Sequence, residues 1–256
     1  MNAATRDPDV SWTEAGEAAP PIALGIGTLA ILVGAAYLVF VVGPPLLAAP
    51  VEFFPSLRTG DLLDLVTPLV VIPLAGLLFI AGSRQPPTRP AILAFVVVSV
   101  VWVQGQAIHL AANAIGHHIP ADGSLLSALV TYLDEDLSHQ MWHGAVIAIA
   151  AMTMYRAASG PPSRVPARTV AAVIVGGALF GLTYVLMVVE GRTAGFALPV
   201  AAAMAIVGLA TLRAGILARP ALGFYVVGFV VALGLAVVWA SLNEWQLVEF
   251  SEVFGF

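Results

Sequence analysis

The chain has five histidines, and all of them fall between positions 109 and 143: His109, His117, His118, His139 and His143. Asp134, Glu135 and Asp136 lie in the same stretch. The spacing is helical. His109, Asn113 and His117 step by four, as do Glu135, His139 and His143, and residues four apart share one face of a helix. Imidazole nitrogen with carboxylate oxygen suits zinc, iron, copper or manganese. The expected ligands are His109, His117, Glu135, His139 and His143. Glu135 and Glu190 are the expected general bases for metal-activated water or oxygen. Gln106, Asn113 and Glu244 are expected behind the ligands, where they orient imidazoles and carboxylates. Asp64 is a further acidic candidate. His118, next to His117, must point elsewhere.

Other chemistries fit less well. One haem, with His109 and His143 as axial ligands, is allowed by the spacing but not favoured over a bare metal ion. A hydrogen-bonded network without metal, or a proton relay, is the remaining alternative, because ionisable groups inside a membrane are functional by default. Tyr184 is better explained by packing than by proton donation.

The elements that must hold these residues follow from composition. The chain is 256 residues long, 60% hydrophobic and only 10% charged. Soluble domains carry about a quarter charged residues. An all-α, polytopic membrane bundle is therefore expected, a multi-pass protein of the cell membrane. Seven apolar segments are long enough to cross, near 21–43, 62–82, 91–115, 137–157, 169–190, 195–216 and 220–246. They form one membrane domain over 21–256, behind an acidic cytoplasmic tail over 1–20 whose charge is wrong for a secretory leader. Proline- and glycine-rich turns separate the segments, as at Gly43-Pro44-Pro45 and Arg219-Pro220. Pro68 and Pro73 fall inside the second segment.

Arginine sets the orientation. Arg84, Arg89, Arg156, Arg164, Arg168, Arg213 and Arg219 follow the second, fourth and sixth segments, whereas only Arg58 and Arg192 lie in the opposite loops. The positive-inside rule puts the N-terminus in the cytoplasm and the C-terminus outside, so the histidines belong to the extracytoplasmic half. Residues 124–133 are too few to span a bilayer and are expected to form a lid in the interface, with Ser124 as its cap.

Composition also excludes. There is no cysteine, so disulfides and thiolate ligation are ruled out. There is no lysine among the ten basic residues, so a retinal Schiff base is impossible. No basic patch with interleaved aromatics suggests nucleic acid. The expected partners are the lipid bilayer and an apolar or lipid substrate or, in the alternative non-catalytic reading, another membrane protein for which this chain holds a metal or haem. No inward polar path continues below Gln104 and His143, which counts against transport.

Overall fold

The computed structural model describes residues 24–120, 122–162, 165–212 and 218–254. The tail over 1–20, Arg164 and Arg213 lie outside them. The order of elements is α1 (Ile26–Leu46), a hairpin of β1 (Pro50–Val51) and β2 (Phe54–Arg58), α2 (Thr59–Ala81), α3 (Arg89–Gly116), α4 (Leu125–Thr131), a π-helical stretch (Tyr132–Ser138), α5 (His139–Ser159), α6 (Ala167–Glu190), α7 (Ala194–Thr211), α8 (Pro220–Leu242) and α9 (Phe250–Phe254). The helices start where local chemistry starts them. Thr88 Oγ1 accepts from the Ala91 amide ahead of α3, and Asp61 Oδ2 accepts from the Arg58 amide at the head of α2.

Among the described residues, six helices are long and apolar enough to cross a membrane: α1, α2, α3, α6, α7 and α8. The expected count was seven. The remaining segment, α5, has 21 residues, but its first turns carry His139, Gln140, Trp142 and His143 in place of aliphatic side chains. The small antiparallel hairpin between α1 and α2 was not expected; it pairs Pro50 with Arg58 and Val51 with Phe54.

Helix α6 is the spine. In its most apolar window 61% of the residues are buried, against 17% for α3, so α6 is central and α3 peripheral. Apolar side chains gain little by leaving lipid for a neighbouring helix, so close backbone approach does the packing. A β-carbon on Gly176 of α6 would stand 2.2 Å from the Ala30 carbonyl oxygen of α1, and one on Gly34 would stand 2.2 Å from the Gly176 carbonyl oxygen. The other face repeats the device, with Gly181 against the Gly228 carbonyl of α8, again at 2.2 Å. Between these seams Tyr37, Phe180, Tyr184, Tyr225 and Phe229 pack edge to face.

The end that carries the arginines is pinned. Arg156 donates to the carbonyls of Phe79, Ile80 and Gln85, at the end of α2 and in the loop after it. Arg219 donates to the carbonyls of Ala157, Ala158 and Gly160 at the end of α5. These are carbonyls that a helix terminus leaves without partners, and cations are favoured there.

The residues expected to form a separate lid do not lie across the bundle. Ser124 caps α4, its Oγ accepting from the Ser127 amide at 3.2 Å. The helix then runs on through the π-helical stretch into α5, so these residues are the outer extension of that helix.

Candidate functional site

The site forms where α3 meets α5. Gly105 makes the approach possible. A β-carbon there would lie 2.8 Å from the Trp142 amide nitrogen and 2.9 Å from the Ser138 carbonyl oxygen. His109 follows one turn later, about 30 Å along α3 from Arg89. Its ring centre is 4.9 Å from that of His139, and His139 stacks on His143 at 5.2 Å with 15° between planes. Trp142 lies 6.0 Å from His109.

Helical spacing alone, with His117 and Glu135 set at one level, pairs Glu135 with His117, His139 with Asn113, and His143 with His109. The contact of His109 with His139 shifts that register by about one turn. His117 is consequently left at the exposed C-cap of α3, outside the ring cluster of His109, His139 and His143. Burial, with Arg58 nearby, holds its pKa below the ordinary histidine value.

The imidazoles share one pattern. His139 Nδ1 is 3.0 Å from the Glu135 carbonyl oxygen, which can only accept, so Nδ1 carries the proton. His143 Nδ1 is 2.6 Å from Thr193 Oγ1, whose own proton points to the Val188 carbonyl at 3.4 Å. His109 Nδ1 is 2.7 Å from Asp134 Oδ1, a close pair not aligned as a straight hydrogen bond. Each ring is thus engaged through Nδ1. His109 Nε2 faces Asp64 Oδ2 at 3.9 Å, and His143 Nε2 is buried with no hydrogen-bond partner among the described residues. Asp64 is held from behind by Gln106, whose Nε2 donates to Oδ1 at 2.8 Å.

Asp134 takes the position beside His109 that a regular helix does not give it. In an α-helix Glu135 is the residue four before His139; the π-helical stretch widens the turn and brings Asp134 inward. The Glu135 carboxylate is 4.0 Å from His139 Nδ1, beyond its own carbonyl. Burial first, and Asp134 next to it, raise the Glu135 pKa above the ordinary carboxylate value.

A cavity of about 400 Å³ opens beside these rings. Asn113, Glu135 and Glu190 line it together with His109, His139 and His143. Glu190 Oε2 accepts from the Ser251 amide at 3.2 Å, and Arg192 Nε donates to Glu249 Oε1 at 2.5 Å. That pairing raises the Arg192 pKa. The two bonds tie the start of α9 over the cavity, with Phe250 packed on Trp239 at 4.4 Å between ring centres. Glu244 stands apart, exposed and with φ of 54° in the turn after α8. The Tyr184 hydroxyl donates to the Ala197 carbonyl at 2.9 Å, away from the imidazoles.

As the side chains stand, no group of three or more histidine or acidic side chains among the described residues is placed to hold one metal ion. Thr193 was missed by sequence reasoning. Thr193 is fifty residues from its histidine partner, and nothing in local spacing signals it.

Fold and site together define a class: a helical, membrane-type bundle with a histidine- and carboxylate-lined cavity near one end. No family model matches the chain, and no curated protein or solved structure matches it either.

Proposed function

We propose that this chain is a seven-span cell-membrane protein, N-terminus in the cytoplasm, that holds a transition-metal ion in its extracytoplasmic half and acts on an apolar or lipid substrate. The observation that carries the reading is the shared use of Nδ1. His139 and His143 give Nδ1 to protein oxygens, and His109 sets Nδ1 against Asp134 and Nε2 towards Asp64, while His143 Nε2 is buried without a hydrogen-bond partner among the described residues. Metal-binding histidines are oriented by partners of this kind. His109, His139 and His143 would hold the ion with Asp64 or Glu135, and small side-chain rotations must bring the donors together. Gln106 and Asn113 would support them. Zinc, iron, copper or manganese would supply Lewis acidity or an activated water, and Glu135 or Glu190 would take the proton.

Metal analysis tests this. Protein purified in detergent should retain about one ion per chain, the stoichiometry of a single site. His139→Ala and His143→Ala should each lose most of it, and His118→Ala should lose little. A metal-free protein whose melting temperature ignores chelator would overturn the reading in favour of the second one, a hydrogen-bonded relay. The chain of contacts from Asp64 through His109 to Asp134 favours that alternative. A Soret band would point instead to a haem-holding subunit.

Orientation has its own test, and the absence of cysteine makes it clean. Leu125→Cys, at a position 92% exposed, should react in intact cells with a thiol reagent that cannot cross the membrane. Gln85→Cys, in the loop that carries Arg84 and Arg89, should not. The opposite pattern would place the histidines on the cytoplasmic side.

A further inference from the structure

The cavity has two chemical halves. Among the described residues six carboxylates line it: Asp61, Asp64, Asp134, Glu135, Glu190 and Glu249. Arg58 is in the lining, and Arg192 pairs with Glu249 from beside it. Two arginines do not balance six acids, and a divalent ion on the histidines would still leave an excess of negative charge. The remaining wall is apolar: Val41, Val42 and Leu46 from α1, and Leu186 and Met187 from α6. A buried polar atom also waits there without a partner. His143 lines the cavity, is 1% exposed, and has no hydrogen bond at Nε2 from the described residues. Trp142 and Phe250 add aromatic surface of the kind that attracts cations. At about 400 Å³ the volume lies in the range of small-molecule sites.

We infer that the cavity binds a single-chain amphiphile with a cationic amine head. The ammonium group sits among the carboxylates, and the hydrocarbon chain lies along the tops of α1 and α6. This deepens the proposed function by naming the substrate class of the same site, and it rests on that site being the working one. Phosphate, sulfate and carboxylate heads are disfavoured, because like charges in a low-dielectric cleft repel strongly. A short hydrophilic amine is disfavoured too, because it leaves the apolar wall unfilled.

The test uses the full chain in phosphatidylcholine nanodiscs, stripped of metal with chelator. It is titrated with dodecylamine, dodecanol and dodecanoate, and binding is followed by tryptophan fluorescence. Dodecylamine should bind saturably and about tenfold more tightly than dodecanol, the effect of one favourable charge contact of ordinary size. Dodecanoate should not saturate. Leu186→Trp and, separately, Val42→Trp should fill the apolar wall and abolish dodecylamine binding while leaving metal content unchanged. Two such variants guard against one that fails to fold. Equal responses to amine and carboxylate, or binding that survives both tryptophans, would overturn the inference as partition into the bilayer. Metal content, measured on each purified protein before stripping, separates the two readings. A metal-free protein that prefers dodecylamine sinks the metal centre and keeps the amine site, and a metal-loaded protein without that preference does the reverse.

Discussion

Gly105→Val is expected to take the site apart without altering one of its polar side chains. The new side chain must occupy space where even a β-carbon would lie 2.8 Å from the Trp142 amide nitrogen and 3.0 Å from the Met141 β-carbon. Backbone atoms of a packed helix cannot move aside cheaply, so α3 and α5 must separate. His109 rides on α3, while His139 and His143 ride on α5. A metal that depends on both helices should lose about 10- to 100-fold in affinity, the usual range when the support behind metal ligands is disturbed. The melting temperature should fall as well. Gly144→Ala is the control, because a β-carbon at that position meets nothing within 4 Å. Titration with a chelator and a thermal scan decide the matter. Wild-type affinity in Gly105→Val would mean that the approach of α3 to α5 does not assemble the site.

Gly176→Val should have the larger effect on stability. Position 176 sits where α6 touches α1, and an added β-carbon there collides with the Ala30 carbonyl at 2.2 Å. The opposite face of α6 is held against α8 by Gly177 and Gly181, so the helix has no free side to retreat to. A loss of at least about 4 kcal/mol is expected, in the exceptional range reserved for overpacked cores. The practical readout is loss of the monodisperse peak after detergent extraction, with Gly234→Ala, which meets nothing within 4 Å, behaving as wild type. A Gly176→Val protein that purifies and melts normally would show that α1 and α6 do not pack through these backbones.

The apolar runs and their turns were legible in the sequence because lipid imposes length and composition on a crossing helix. Grouping His109, His139 and His143 was legible for a related reason: polar groups in such helices turn inward, so repetition at four residues predicts a shared face. Three features were not legible. Asp134 beside His109 depends on a π-helical turn, which breaks the 3.6-residue period that the reading assumed. The register between α3 and α5 is set by Gly105, and in an apolar run one glycine looks like any other. The Thr193 contact to His143 joins residues far apart in the chain, so no local pattern carries it. Residues 125–138 run into α5 without a break, so the expected lid is a continuation of that helix.

The arginine clamps at one end of the bundle have a mechanical consequence. Arg156 and Arg219 bind helix-end carbonyls of α2 and α5, and so fasten neighbouring elements at a single level. Helices fixed at one end behave as levers. A tilt of about 5° about the clamp moves a point about 30 Å away by roughly 2.5 Å, the distance scale set by the rise of these helices. The histidines lie near that far end, where a small angular fluctuation becomes a displacement large enough to open or shut a gap between helices. Amide exchange should therefore run as a gradient along α5, slowest beside Arg156 and fastest towards His139, with the bundle fanning open on one side only.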